Sequence, residues 1–544
     1  LLDADMIIQI DKEFNKNLLD KETYMVKQNN SSISYYNLRL ISKNSKAEYV
    51  GVTHEYINNF LESEQLNSIT IIDINDGGSK HDKFIRDIKL LSNALLNDPL
   101  NIRYNFYLAN SYFDIKDFEN AIKYYKNHFT ISNWDEEKFY NLYRQGLCYK
   151  QLNEIENMIN SWIDAWILRP TRSESLYELL CYYKEQNKWN QCKIYYEIAK
   201  NIKFPVNDIL FVHKDIYEHK LLYEYSLIAF YVNDKYLYND YHILINNKYY
   251  DTDNLFCNYK FYYPTLDSIN SIDITEEYNN NHNNYTISSS SIIKYKNKYT
   301  INITYSNYNH TNYHKNINKC LIFSDNFTKI NSKIINNIES NSEYSIGHEN
   351  IKLINFDNTI YYTSIVSRSN NEWIGTTIQF GNYNNIKNEN NKINFDNQQF
   401  IEKNWCFLPS CKKCIYSLYP ITIYTIENNK LINKICLDTP PFFRNAICAS
   451  NAYYYSKDNE IWLLIYFTHK YYNQETWYYY SFIKFNNDLS KLTYTKPFKF
   501  TNNISTEYCS SFIIENDKII LTNSYNNKCY IKSYNKYYID SFFI

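Results

Sequence analysis

Glycine is scarce in this chain, with seven residues in 544, and methionine scarcer still, with three. Asn, Ile, Lys and Tyr abound instead, and all four have AT-rich codons. We read the bias as the mark of an AT-rich genome. It removes the Asn runs as evidence of function, and it makes the many Asn-x-Ser/Thr triplets poor evidence of glycosylation or secretion. Net charge is also lacking, at −2 near pH 7. A balance so close to zero excludes a nucleic-acid or anionic-membrane partner held by bulk charge. No run approaches the ~18 continuous apolar residues of a membrane span, and no charged-then-apolar leader opens the chain. The twelve cysteines are scattered, not clustered. They read as reduced thiols of an intracellular, cytoplasmic protein. Cys411-Lys-Lys-Cys414, with Cys406 nearby, is the one CxxC. A structural zinc site needs a second ligand pair, so these read as plain thiols.

What is present is core material. Hydrophobic residues make up 44% and tyrosines number 60. A chain of this length exceeds one core, so two to four domains are expected. The texture changes twice. Residues 1–79 mix short strand-like runs with polar loops. From 80 to 240 apolar residues fall at three- and four-residue spacings, the pattern of paired helices. Residues 241–261 read as a linker. From 262 to 544 the period falls to two, as in "KYTINITYS" and "EIWLLIYFTH", which predicts an all-β domain. The fold class is therefore multidomain α+β.

The helical region repeats. When Ala121, Met158 and Cys192 are aligned, Leu108/Ala109, Gln145/Gly146 and Leu179/Leu180 also coincide. So do Tyr112, Tyr149 and Tyr183, and then Tyr125, Trp162 and Tyr196. These offsets match the ~34-residue tetratricopeptide pattern. Small residues let the two helices of a repeat approach, and aromatics fill the space between repeats. The inner face reads as Tyr-lined, with no cluster of Lys and Arg and no carboxylate clamp. Such repeats bind protein partners or act as spacers, and the spacer is the expectation here.

The chain opens "LLDADM". Two carboxylates at i and i+2 of an extended segment point the same way, so Asp3 and Asp5 could face one divalent cation. "YYNLRL", "GVTHEY" and "DGGSKHDKFIRD" follow. This succession resembles the second half of a family-two glycosyltransferase of the A fold, in the group that runs directly into tetratricopeptide repeats. The resemblance implies a partial α/β transferase domain over 1–79, with its N-terminal half missing, and hence a fragment inactive as given. It implies that Asp5 and His54 hold a divalent metal (Mn or Mg), and that Asp3 meets the nucleotide-sugar diphosphate. Glu55, or alternatively Asp76, would be the base that deprotonates a hydroxyl acceptor in an inverting reaction. Arg39 and Lys83 match basic positions of the group and would face phosphate or packing acids. The implied partners are a nucleotide-sugar donor and a glycan or protein acceptor, with no nucleic acid and no membrane.

The β region resembles five-bladed propellers of the mannoside-phosphorylase type, chiefly copies attached to such transferases in large-genome viruses. That implies a setting such as a viral factory. Landmarks "GHENIK", "EKNW" and "TEYCSS" carry the likeness, and each places polar groups around a central channel. The departures matter. Asn350 stands where the family has its proton-donating acid, and an amide cannot serve as a general acid. Thr304 stands where an Arg is expected. Glu349, Glu402, Tyr416, His469 and Glu507 are retained. The expectation is a glycan-binding or structural propeller without phosphorolysis. Two functions follow: a fragment of a glycosyltransferase, or a non-catalytic scaffold of repeats joined to a carbohydrate-binding propeller.

Overall fold

The computed structural model describes the chain apart from residues 1–5, 31–32, 75–79, 235–236, 239, 247–249, 251, 260, 277, 281–282, 308–314, 337–346, 370–372, 387–390, 394–397, 471–474, 503 and 505. It forms two compact units, Leu1–Lys235 and Tyr236–Ile544.

The first unit begins with strands β1 (Met6–Ile10), β2 (Thr23–Asn30), β3 (Ile33–Ile41), β4 (Glu48–Val50), β5 (Tyr56–Asn58) and β6 (Ser63–Asp73). Helices α1 (Lys80–Asn97), α2 (Ile102–Asp114), α3 (Phe118–Ile131), α4 (Asp135–Gln151), α5 (Ile155–Leu168), α6 (Glu174–Glu185) and α7 (Trp189–Ala199) follow, then β7 (Val212–His213). The main sheet has the order β1-β6-β2-β3-β7. β2 and β6 run parallel, and the other pairs are antiparallel. Val26, Ile69 and Ile71 form its core. The short β7 comes from beyond the helices, so the sheet and the repeats are one folded body.

Helices α2/α3, α4/α5 and α6/α7 are the three repeat pairs. Ala121, Met158 and Cys192 are all fully buried, as are Tyr125 and Trp162. Lys116, Asn153 and Asn187 take left-handed backbone at the turn inside each pair. Asn tolerates that region better than other non-glycine residues, because its short amide bonds locally. The Asn-rich composition thus does a job that glycine usually does. The hairpin tips of the β region repeat the device at Asp357–Asn358, Asn428–Asn429 and Asn526–Asn527, each with two positive φ values, as tight hairpin turns require.

The second unit is propeller-like. Among the described residues, five antiparallel sheets of three or more strands follow one another along the chain. They begin at innermost strands Thr286–Tyr295, Glu349–Phe356, Cys406–Phe407, Ile447–Cys448 and Phe512–Glu515. Asn270–Asp273, from the start of the unit, pairs with Lys528–Asn535 and completes the last sheet. Apolar clusters join the second sheet to the first and third, and the fifth to the first and fourth. Ala452 N donates to the Phe407 carbonyl and Phe407 N donates to Asn451 Oδ1, which joins the third sheet to the fourth. The ring is therefore closed. Within the stretch expected to be a linker, the described residues include two short helices. Helices Tyr241–Ile245 and Thr252–Tyr259 bury Tyr241, Leu244 and Tyr259, and Phe256 stacks 4.8 Å from Phe467. Apolar residues at helical spacing explain the difference. Cys411 and Cys414 are buried free thiols, with Cys411 pushed up to about 12 by burial.

Candidate functional site

Two clusters gather some of the residues singled out by sequence. The first surrounds His54. Asp3, Asp5 and Asp76 lie outside the described residues. His54 sits before β5 with left-handed backbone, φ 49°. Its ring stacks on Tyr107 at 4.1 Å and 11°, and its Nε2 lies 3.7 Å from Asp87 Oδ2. Arg103 donates two hydrogen bonds to the His54 carbonyl, at 2.8 and 3.2 Å. Burial outweighs the nearby Asp87 carboxylate and lowers the imidazole pKa to about 4. The ring is neutral at pH 7 and keeps a lone pair. Asp87 is fully buried. Thr53 donates to its Oδ1 at 3.0 Å, and its Oδ2 accepts no hydrogen bond. The sequence reading missed Asp87, Arg103 and Tyr107, which look like ordinary helix residues in a helical run.

The other carried-over residues sit apart from this ring. Arg39 donates to Gln28 Oε1 at 3.1 Å, and Gln28 donates to Asp73 at 3.2 Å, a cross-strand relay through β3, β2 and β6. Lys83 and Glu55 are exposed. Lys83 is near enough for its charge to oppose protonation of His54.

The second cluster lies at the N-terminal end of the second sheet's innermost strand. Asn350 is 7% exposed with φ 51°. Its Nδ2 donates to the Tyr508 hydroxyl at 2.6 Å, and its Oδ1 has no partner. Tyr466 and Tyr478 stack at 5.4 Å, and each meets Tyr508 edge-on, at 6.1 and 6.4 Å. Burial first, and the Glu349 carboxylate among the charges after it, push the Tyr466 and Tyr508 phenols up. Glu349 therefore belongs to this group. Lys352, two residues on, is buried and donates to the Cys448 carbonyl at 3.2 Å, and burial lowers its pKa. Where the family's Arg is expected, Thr304 donates to Asn318 at 2.8 Å in a neutral amide ladder that reaches the His348 carbonyl.

The remaining predicted residues are occupied elsewhere in the ring. Glu402 accepts from Gln399 N at 2.6 Å, from the Tyr416 hydroxyl at 3.2 Å and from Trp405 Nε1 at 3.3 Å, tying a loop of the third sheet. Glu507 is buried, accepts from Phe500 N and Asn523, and is raised by that burial. His469 Nε2 lies 2.9 Å from Cys257 Sγ on helix Thr252–Tyr259. A cavity of about 780 Å³ opens at the other ends of the innermost strands. Its walls mix apolar side chains with Asn355, Asp357, Lys413 and Glu515, and its Lys294 is paired with Glu515 and Asp325.

No protein-family profile matches the chain, and no curated protein does. Among solved structures, the β region is similar to a β-1,2-mannobiose phosphorylase from Listeria innocua, at 9% identity and TM-score 0.36, over 48% of this chain and 94% of that one. It is also similar to a glycosyl hydrolase from Bacteroides ovatus, at 11% identity and TM-score 0.33, over 46% and 84%. The repeats are similar to MamA, at 18% identity and TM-score 0.24, over 33% and 81%. At these scores the likeness is one of coarse shape. By its own elements the chain combines three pairs of antiparallel helices, tetratricopeptide-like in spacing, with a propeller-like β region of successive antiparallel sheets. Among the described residues no helix is long and apolar enough to cross a membrane.

Proposed function

We propose that this chain is a carbohydrate-binding scaffold, in which Glu349, Asn350 and the three tyrosines receive a sugar. The observation that carries the reading is the Asn350 carboxamide, buried, held in left-handed backbone and left with one acceptor unpaired. A buried amide oxygen without a donor costs about 1–3 kcal/mol. A sugar hydroxyl would supply that donor, the Glu349 carboxylate would accept others, and tyrosine rings offer apolar faces for sugar C–H groups. Asn350 and the neutral ladder around Thr304 argue against phosphorolysis, because neither can act as a general acid or offers a charge for phosphate. The test is a glycan array on the full chain, followed by calorimetry of its hits. We expect binding that weakens about tenfold or more in Asn350→Leu and Tyr508→Phe. Absence of any glycan ligand, or variants that bind as well as the parent, would overturn the reading. Phosphate-dependent release of sugar from a mannoside would replace it with an enzyme.

A second reading is part of a glycosyltransferase using a nucleotide-sugar donor, a hydroxyl acceptor and a divalent metal at Asp5 and His54. The neutral His54 ring beside the unpaired Asp87 Oδ2 favours it. Those are two donors, and among the described residues no group of three His, Cys, Asp or Glu assembles for a metal. That falls short of the full ligand set a divalent ion takes, so we route no step through a metal. Calorimetric titration with Mn²⁺ tests it. The reading expects one-site binding abolished by His54→Ala, and it fails if the chain ignores Mn²⁺ or if the variant binds equally.

A further inference from the structure

Glu136 on α4, Glu174 at the start of α6, and Arg169 and Arg172 on the turn between α5 and α6 form a row of side chains that is already spoken for. Asp208–His213 runs past α4 and the start of α6 in extended or turn-like form, and its backbone is read group by group. Glu136 Oε2 accepts from both Ile209 N and Leu210 N, each at 2.8 Å. Arg172 donates to the Leu210 carbonyl at 3.3 Å and the Phe211 carbonyl at 3.2 Å. Glu174 Oε1 accepts from His213 N at 3.1 Å. The side chains are read too. Asp208 is ion-paired with Arg169 and, at 3.3 Å, with Arg172. The Phe211 ring lies 5.0 Å from Tyr140 and 5.8 Å from Tyr35, and His213 meets Tyr143 at 5.9 Å.

Recognition of main-chain groups by side chains, with an aromatic anchor in a pocket, is how a receptor takes an extended peptide. Ordinary packing between consecutive elements does not need it. Phe211 adds an independent sign, for its φ is 43°. Left-handed backbone is costly for a bulky residue and persists only where the surroundings over-determine it. We infer that this face of the repeats is a peptide-binding groove for a segment of the pattern acidic–aliphatic–aliphatic–aromatic, and that its resident ligand is the chain's own Asp208–His213. Val212 and His213 also pair with Ser34 and Ile33 on the edge of β3. Displacing the segment therefore strips an edge strand from the sheet. A protein partner reaches the groove only by that exchange.

The experiment uses the full chain and a fluorescein-labelled peptide covering residues 206–214, followed by anisotropy. A resident ligand lowers apparent affinity in proportion to the fraction of molecules with the groove open. Asp208→Ala/Phe211→Ala weakens the resident segment and leaves Glu136, Arg172 and Tyr140 intact. We expect it to bind the peptide about tenfold or more tighter than the parent, and Arg172→Met added to it should remove the gain. A folded variant that ignores the peptide, or a parent that binds it equally, overturns the inference. If the variant does not fold, hydrogen exchange on the parent decides. The Ile209, Leu210 and His213 amides should exchange as slowly as those of β2, and exchange at the rate of exposed loops would overturn the inference.

Discussion

Gly146→Ala should destabilise the first unit by about 3 kcal/mol or more, at or beyond the upper end of ordinary overpacking. A Cβ there would stand 2.2 Å from Trp162 Nε1 and 2.4 Å from its Cδ1. Real Cβ atoms do not approach so closely, so something must move. Trp162 cannot yield cheaply, because it is fully buried and its Nε1 donates to the Tyr143 carbonyl at 3.1 Å. Shifting the indole leaves that donor unpaired in a dry core, which adds to the steric cost. Hydrogen exchange across α4 and α5 is the measurement, since a two-unit chain need not unfold in one step. Trp162→Phe removes the atoms that clash. Combined with Gly146→Ala, it should recover about 1–3 kcal/mol in a double-mutant cycle. Additive effects would mean that the close approach is not what fixes Gly146.

That glycine was legible in part before any coordinates, because Ala109 holds its position in the first repeat, although Leu180 holds it in the third. The repeats and the β region were readable for the same reason: a period of 3.6 or of two is a local property of the chain. Composition reads the Asn runs as genome bias, and at Asn153, Asn187 and the hairpin tips asparagine also holds left-handed backbone, which it tolerates better than most residues. The sites were readable only in part. Glu349 and Asn350 stood out through resemblance, but Tyr466, Tyr478 and Tyr508 come from distant strands and are lost among 60 tyrosines. The expected Tyr lining of the repeats is there in Tyr107, Tyr140 and Tyr143. The charged set of Glu136, Arg169, Arg172 and Glu174 was missed, since acids in a first helical turn are usually explained by the helix dipole alone. Nothing in a periodic pattern says that residues 208–213 double back onto those helices.

Glu174→Leu carries the second large effect, an expected loss of about 3–5 kcal/mol from the first unit. Glu174 is wholly buried, and Arg172 is 1% exposed. The carboxylate accepts from Arg172 Nη2 at 2.8 Å, from Arg172 Nε at 3.0 and 3.1 Å, and from the Tyr217 hydroxyl at 2.9 Å. Burial works against the charged guanidinium, and Glu174 with Asp208 more than reverses it. Removing the carboxylate therefore leaves a buried cation that Asp208 compensates only in part, together with the unpaired Tyr217 hydroxyl and His213 amide. Arg172→Met/Glu174→Leu removes both charges. The guanidinium stacks over Phe139 at 4.6 Å, so a methionine can keep part of that packing while ending the charge imbalance. The double variant should be more stable than Glu174→Leu alone, by about 1–3 kcal/mol. Urea unfolding read through the repeat amides distinguishes the two. In both variants the His213 amide loses its acceptor and should exchange faster. If the double variant is no more stable than the single, the loss belongs to packing and the ion pair is not what holds this corner of the repeats.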